Sequence, residues 1–136
     1  MARRRVRYYF GRFNLMAQYE RKEIFVAEGL RTPTVVRKRG QNWQFLKVES
    51  AVSELGEFLT GYLAKYRPVT EEEVAVPAAQ DLGDQVIENL VIAKARFFLH
   101  LESGLIAYHP VGSHITRDQF RRNFAEIFEA SKADFL

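Results

Sequence analysis

The side chains best able to do chemistry in this 136-residue chain fall into two sets. The first is a pair of histidines, His100 and His109, with Arg96 close by in sequence and His114 a little beyond. Two imidazoles and a cation can cleave RNA without a metal. One imidazole acts as base and the other as acid, while the cation holds the phosphate. The second set is basic and aromatic. Arg3, Arg4, Arg5, Arg7 and Arg12 interleave with Tyr8, Tyr9, Phe10 and Phe13, and Arg37-Lys38-Arg39 lies just before the only tryptophan, Trp43. Cations neutralise phosphates, aromatic rings stack on unpaired bases, and a guanidinium can itself stack on an indole. No histidine–acid spacing suited to a metal, no GxSxG and no glycine-rich phosphate loop occurs, so neither metal nor cofactor is expected.

The elements that would position these residues follow from periodicity. Residues 94–110, KARFFLHLESGLIAYHP, read as a β-hairpin turning at Glu102-Ser103-Gly104. With Ser103-Gly104 as a two-residue turn, His100 opposes Ala107 and Phe98 opposes His109. The histidines then become diagonal neighbours. Phe97, Leu99, Leu101, Ile106 and Tyr108 form the core face of this hairpin, and Lys94, Arg96, Phe98, His100, Glu102 and His109 the other. Residues 6–15 read as a strand with Tyr8, Phe10 and Arg12 on one face and Gly11 marking a bulge or close backbone approach. Ile24-Phe25-Val26 favours a short strand.

Residues 34–39 and 42–49 form a second hairpin across Gly40-Gln41. Ser50 then offers a cap for a helix over residues 52–66, whose apolar residues recur at helical spacing up to Pro68. Residues 69–83 read as an acidic connector with a brief strand at 74–76. Thr116-Arg117-Asp118-Gln119 is a capping box. Phe120, Phe124, Ile127 and Phe128 continue it as an amphipathic helix, in which Arg122 and Glu126 are spaced to pair. The expected class is α+β, a mainly antiparallel sheet built from hairpins with two amphipathic helices packed on one face.

At 47% hydrophobic and 13% aromatic residues the composition is that of an ordered domain, and the chain has no cysteine. One domain over residues 1–136 with a basic arm at 1–7 is expected, and the pattern leaves open that it is the first domain of a longer protein. No apolar run is long enough to span a membrane, so a cytoplasmic protein without a membrane partner is expected. Net charge is +3, yet residues 1–13 hold five arginines and no acid, leaving −2 on the remaining 123. That asymmetry favours a polyanionic or acidic partner.

Residues 96–128, a FFLHLESGLIAYHP hairpin followed by TRDQFRRNFAEIF, resemble the sheet-and-helix modules of bacterial anti-phage defence and abortive-infection proteins. The resemblance implies bacterial or viral nucleic-acid biology and transfers no catalytic residue. The reading that joins these observations is a non-enzymatic module that binds RNA or DNA, or seats in a nucleoprotein complex, through Arg3, Arg4, Arg5, Arg7, Arg12, Arg37, Lys38, Arg39 and Trp43. Two alternatives stand beside it: a small metal-independent ribonuclease or toxin using His100, His109 and Arg96, and a protein–protein assembly module whose arginines meet an acidic partner.

Overall fold

A computed structural model describes residues 7–12 and 22–135. Among them are strands β1 (Tyr9–Arg12), β2 (Val36–Lys38), β3 (Gln41–Ser53), β4 (Gly56–Val76), β5 (Asp81–His100) and β6 (Leu105–Tyr108). Helix α1 spans Lys22–Arg31 and helix α2 Arg117–Phe135. The strands form one antiparallel sheet in the order β1-β6-β5-β4-β3-β2, curled into a half-barrel. Strands β2 to β6 run as a meander, and β1 pairs with β6 at the far edge. The expected α+β class with a mainly antiparallel sheet therefore holds.

Residues directly opposite each other in a sheet share a face. One row across the sheet is Tyr9, Tyr108, Phe97 and Gly61, and the next is Gly11, Ile106, Leu99 and Leu59. These rows carry the core. Phe120 of α2 stacks on Tyr108 at 4.2 Å between ring centroids, and Phe124 meets Phe97 edge-on at 5.3 Å. The start of α2 is held by the capping box read from the sequence. Gln119 N donates to Thr116 Oγ1 at 3.2 Å, and Thr116 N donates to Gln119 Oε1 at 3.0 Å. Glu126 pairs with Lys38 of β2, not with Arg122.

Several local expectations are overturned. Residues 52–66 are not a helix; they form the end of β3, a turn and the first half of β4. Leu59, Gly61 and Leu63 point to the core while Phe58, Thr60 and Tyr62 line the other face, so both faces carry apolar residues. A strand apolar on both sides satisfies a 3.6-residue pattern as readily as a period of two. Ser50 caps no helix, and its hydroxyl accepts from Arg31 instead. Ile24-Phe25-Val26 lies in α1, where Val26 and Leu30, one turn apart, enter the core together.

Gly11 makes no bulge. It pairs regularly with Ile106, and a side chain there would meet only ordinary contacts. The bulge falls on β3, where Lys47 (φ 51°) and Val48 together oppose Gly61. A methyl group on Gly61 would sit 3.1 Å from the Phe97 ring and 3.3 Å from the Leu46 carbonyl oxygen, so the close approach expected at Gly11 is found at this glycine. The second hairpin turns one residue earlier than expected, through Arg39-Gly40, whose φ angles of 53° and 75° suit a type I′ turn. Residues 69–83 are no connector. They form the far half of a β4–β5 hairpin that turns through a short 3₁₀ segment at Pro77–Ala79.

Helix α1 carries a glycine in its interior, Gly29, directly against the Phe128 ring. Gly29→Ala should therefore destabilise the protein by about 1–3 kcal/mol through overpacking, even though alanine is the better helix former by about 1 kcal/mol. Urea unfolding followed by circular dichroism reads the sign.

Candidate nucleic-acid interface

The face of the sheet opposite the α2 aromatics gathers cations and rings. One row runs His109, Arg96, Tyr62 and Leu46, and the next Phe10, Ala107, Phe98 and Thr60. The Arg96 guanidinium lies 5.0 Å from the Phe98 ring centre and 5.5 Å from that of Tyr62, and it donates to the Tyr62 hydroxyl at 3.1 Å. Lys94 stands over the same tyrosine at 4.7 Å. Tyr8 packs against Phe98 and His109 at 6.0 and 5.6 Å, which ties the start of β1 into the cluster. Arg12, Lys94 and Arg96 are exposed, and Phe10 is 69% exposed. Alternation along β1 places Tyr8, Phe10 and Arg12 together, as read from the sequence.

The histidine pair does not form. The β5–β6 loop has four residues, Leu101 to Gly104, so Leu99 opposes Ile106 and the register is two residues from the expected one. A shift of two preserves the faces but moves the partners. His109 now lies beside Arg96, and His100 is four residues further along β5, roughly 13 Å away at the usual rise per residue. Both rings are engaged in structure. His100 Nε2 lies 2.7 Å from the Leu55 carbonyl oxygen, which can only accept, so Nε2 carries the proton. Its Nδ1 then accepts from the Ser103 backbone N–H at 3.3 Å, with the Ser103 hydroxyl at 2.7 Å, and the ring closes two neighbouring turns. His109 Nδ1 donates to the Arg7 carbonyl oxygen at 2.7 Å and anchors β1. An acid–base pair across one phosphate is not available from this arrangement.

The remaining basic residues are dispersed. Arg3, Arg4 and Arg5 lie outside the described residues. Arg7 is exposed. Arg37 and Arg39 are exposed at the β2 edge, the sheet edge opposite β1, so they do not adjoin Arg12. Lys38 is turned towards α2, where it donates to Asn123 Oδ1 at 2.7 Å and pairs with Glu126. Trp43 is 4% exposed and part of the core, so its ring is not a surface for stacking. Sequence reasoning missed Tyr62 and Phe58 as members of the Arg96 face. The alternation Phe58-Leu59-Thr60-Gly61-Tyr62-Leu63 was the signal that could have found them.

No protein-family model matches the chain, and neither a curated protein nor a solved structure is significantly similar to it.

Beneath Trp43 lies Lys65, a buried ammonium whose nitrogen stands 5.5 Å from the indole centre. Burial lowers its pKa below the usual 10.5, because loss of water disfavours the charged form. Below the lowered folded value both states hold the proton and the full cost is present. Between that value and 10.5 the unfolded state binds more protons, and stability rises with pH. Lys65→Met should raise the thermal midpoint at neutral pH, and this gain should shrink as pH approaches 10.5. Melting curves of both proteins across that range test it.

Proposed function

We propose that this protein binds single-stranded nucleic acid across the Arg96 face of its sheet. In this reading both helices lie on the Phe97 side and leave the Arg96 side to the ligand. The observation that carries it is the stacking of exposed Arg96 between Phe98 and Tyr62, in a cluster that also holds Tyr8 and Lys94, with exposed Phe10 and Arg12 further out on the same face. Rings give a sequence-tolerant stacking surface, and the cations beside them neutralise the strand that crosses it. Single strands suit such a face better than duplexes, because an open sheet face reaches splayed bases and not paired ones. Arg3, Arg4 and Arg5 add further positive charge to the segment that precedes β1 in the sequence. No chemical step belongs to this reading; the protein holds its ligand and leaves it intact.

The test is a fluorescence titration with single-stranded and duplex oligonucleotides at several salt concentrations, with the products of the same samples examined for cleavage. Affinity for single strands should exceed that for duplexes and fall steeply with salt. Phe98→Ala should cost about 1–3 kcal/mol of binding with the salt slope unchanged. Arg96→Gln and Arg12→Gln together should instead flatten the slope by about one to two phosphate contacts. Neutralising Arg3, Arg4 and Arg5 should flatten it further. Equal binding by wild type and the Phe98→Ala protein removes the face from the reading.

A further inference from the structure

Beyond Tyr66 the β3 strand ends, and among the described residues β4 continues with β5 as an isolated two-stranded arm. Its pairs run from Arg67–Leu90 to Val76–Asp81, roughly 30 Å of ribbon. Pro68, which cannot donate a ladder hydrogen bond, is tolerated at this point because β4 has become an edge strand. An isolated hairpin is marginal in water, and its open edges invite another chain. One face of the arm continues the core face of the sheet past the helices. On it Val69, Leu82 and Val86 are 63%, 65% and 61% exposed. A soluble protein seldom leaves such a row of large apolar residues without a covering surface.

Charge identifies the cover. Residues 67–90 hold six acids and one arginine, a net −5. The rest of the chain has 19 cationic and 11 anionic residues, a net +8. Glu73 faces Asp84 directly across the arm, a like-charge pair that costs stability, and among the described residues no ion pair reaches any acid of the arm. Two arms would repel each other. The surface that matches an apolar, acidic ribbon is apolar and basic, and the Arg96 face has that character, with exposed Phe10, Arg12, Lys94 and Arg96 spread across it. A chain's own arm cannot reach this face, because β4 and β5 run unbroken from one to the other.

We infer that the acidic arm of one copy docks on the Arg96 face of a second copy, so that the protein associates head to tail. Such a heterologous contact uses two different patches on each molecule, and it grows into rings or open chains. The contact needs no nucleic acid. It uses the face assigned above to single strands, so the two ligands exclude each other there.

The test is sedimentation velocity over a range of protein concentrations at low and high salt, without nucleic acid. The wild-type mass should at least double as concentration rises and fall back to that of a monomer in high salt. An arm variant, E71K/E73K/D84K, and a face variant, R12Q/R96Q, should each stay monomeric alone. Mixed, they should form a one-to-one complex that grows no further, because only one arm and one face remain competent. A milder variant, E73Q/D84N, removes a like-charge pair and should weaken association while raising the thermal midpoint, which separates docking from folding. A wild-type monomer at every concentration overturns the inference, including the case in which the arm serves a different basic protein. Association that survives E71K/E73K/D84K overturns it as well. Either failure leaves the single-strand titration unaffected.

Discussion

The Phe97 ring occupies the space that Gly61 leaves on β4, and much of the structure depends on that exchange. With no side chain on Gly61, β4 and β5 hold their register while the ring turns in towards the core. There it meets Phe45, Phe120 and Phe124, so one residue of the sheet links β3 to α2. Opposite the same glycine, β3 takes in an extra residue at Lys47-Val48, and such bulges sharpen the twist that curls a sheet. The close approach, the bulge and the curl are one packing solution.

The solution also determines the other side. Because Phe97 and Leu99 turn inwards, Arg96 and Phe98 must turn outwards, beside Tyr62 of β4 and on the same face as Phe10 of β1. The cationic, aromatic face is thus the reverse of the core and is as rigid as the core. Its arginine is held by two rings and a hydroxyl, which spares a flexible side chain much of the ordering that binding would otherwise require.

What could be read from the sequence follows from how local each signal was. The capping box and the Phe120, Phe124, Ile127 and Phe128 stripe are contained within a few turns and specify α2 almost alone. The faces of β5 and β6 were legible because their alternation survives any even shift of register. Their partners were not legible, because a four-residue loop and a two-residue loop give the same alternation. Residues 52–66 misled because Phe58, Leu59, Tyr62 and Leu63 are apolar on both faces of a strand. The site was half visible. Tyr8, Phe10, Arg12 and Arg96 carry their character in the sequence, but Tyr62 joins them only through the pairing of β4 with β5. Trp43 appeared to be a surface ring because it follows a basic turn, and it is buried because β3 alternates.

The pairing of β1 with β6 has a consequence in time. Strands β2 to β6 are joined through neighbours, so each can zip onto the one before it as the chain lengthens. Tyr9 must wait for Tyr108, 99 residues further along the chain, and such a distant closure carries the largest loop entropy in the sheet. During synthesis the segment bearing Tyr8, Phe10 and Arg12 therefore emerges before its partner β6 and settles among the last. Until then the Arg96 face lacks its outer rings, and a ribosome-bound chain has the core hairpins but not the finished surface.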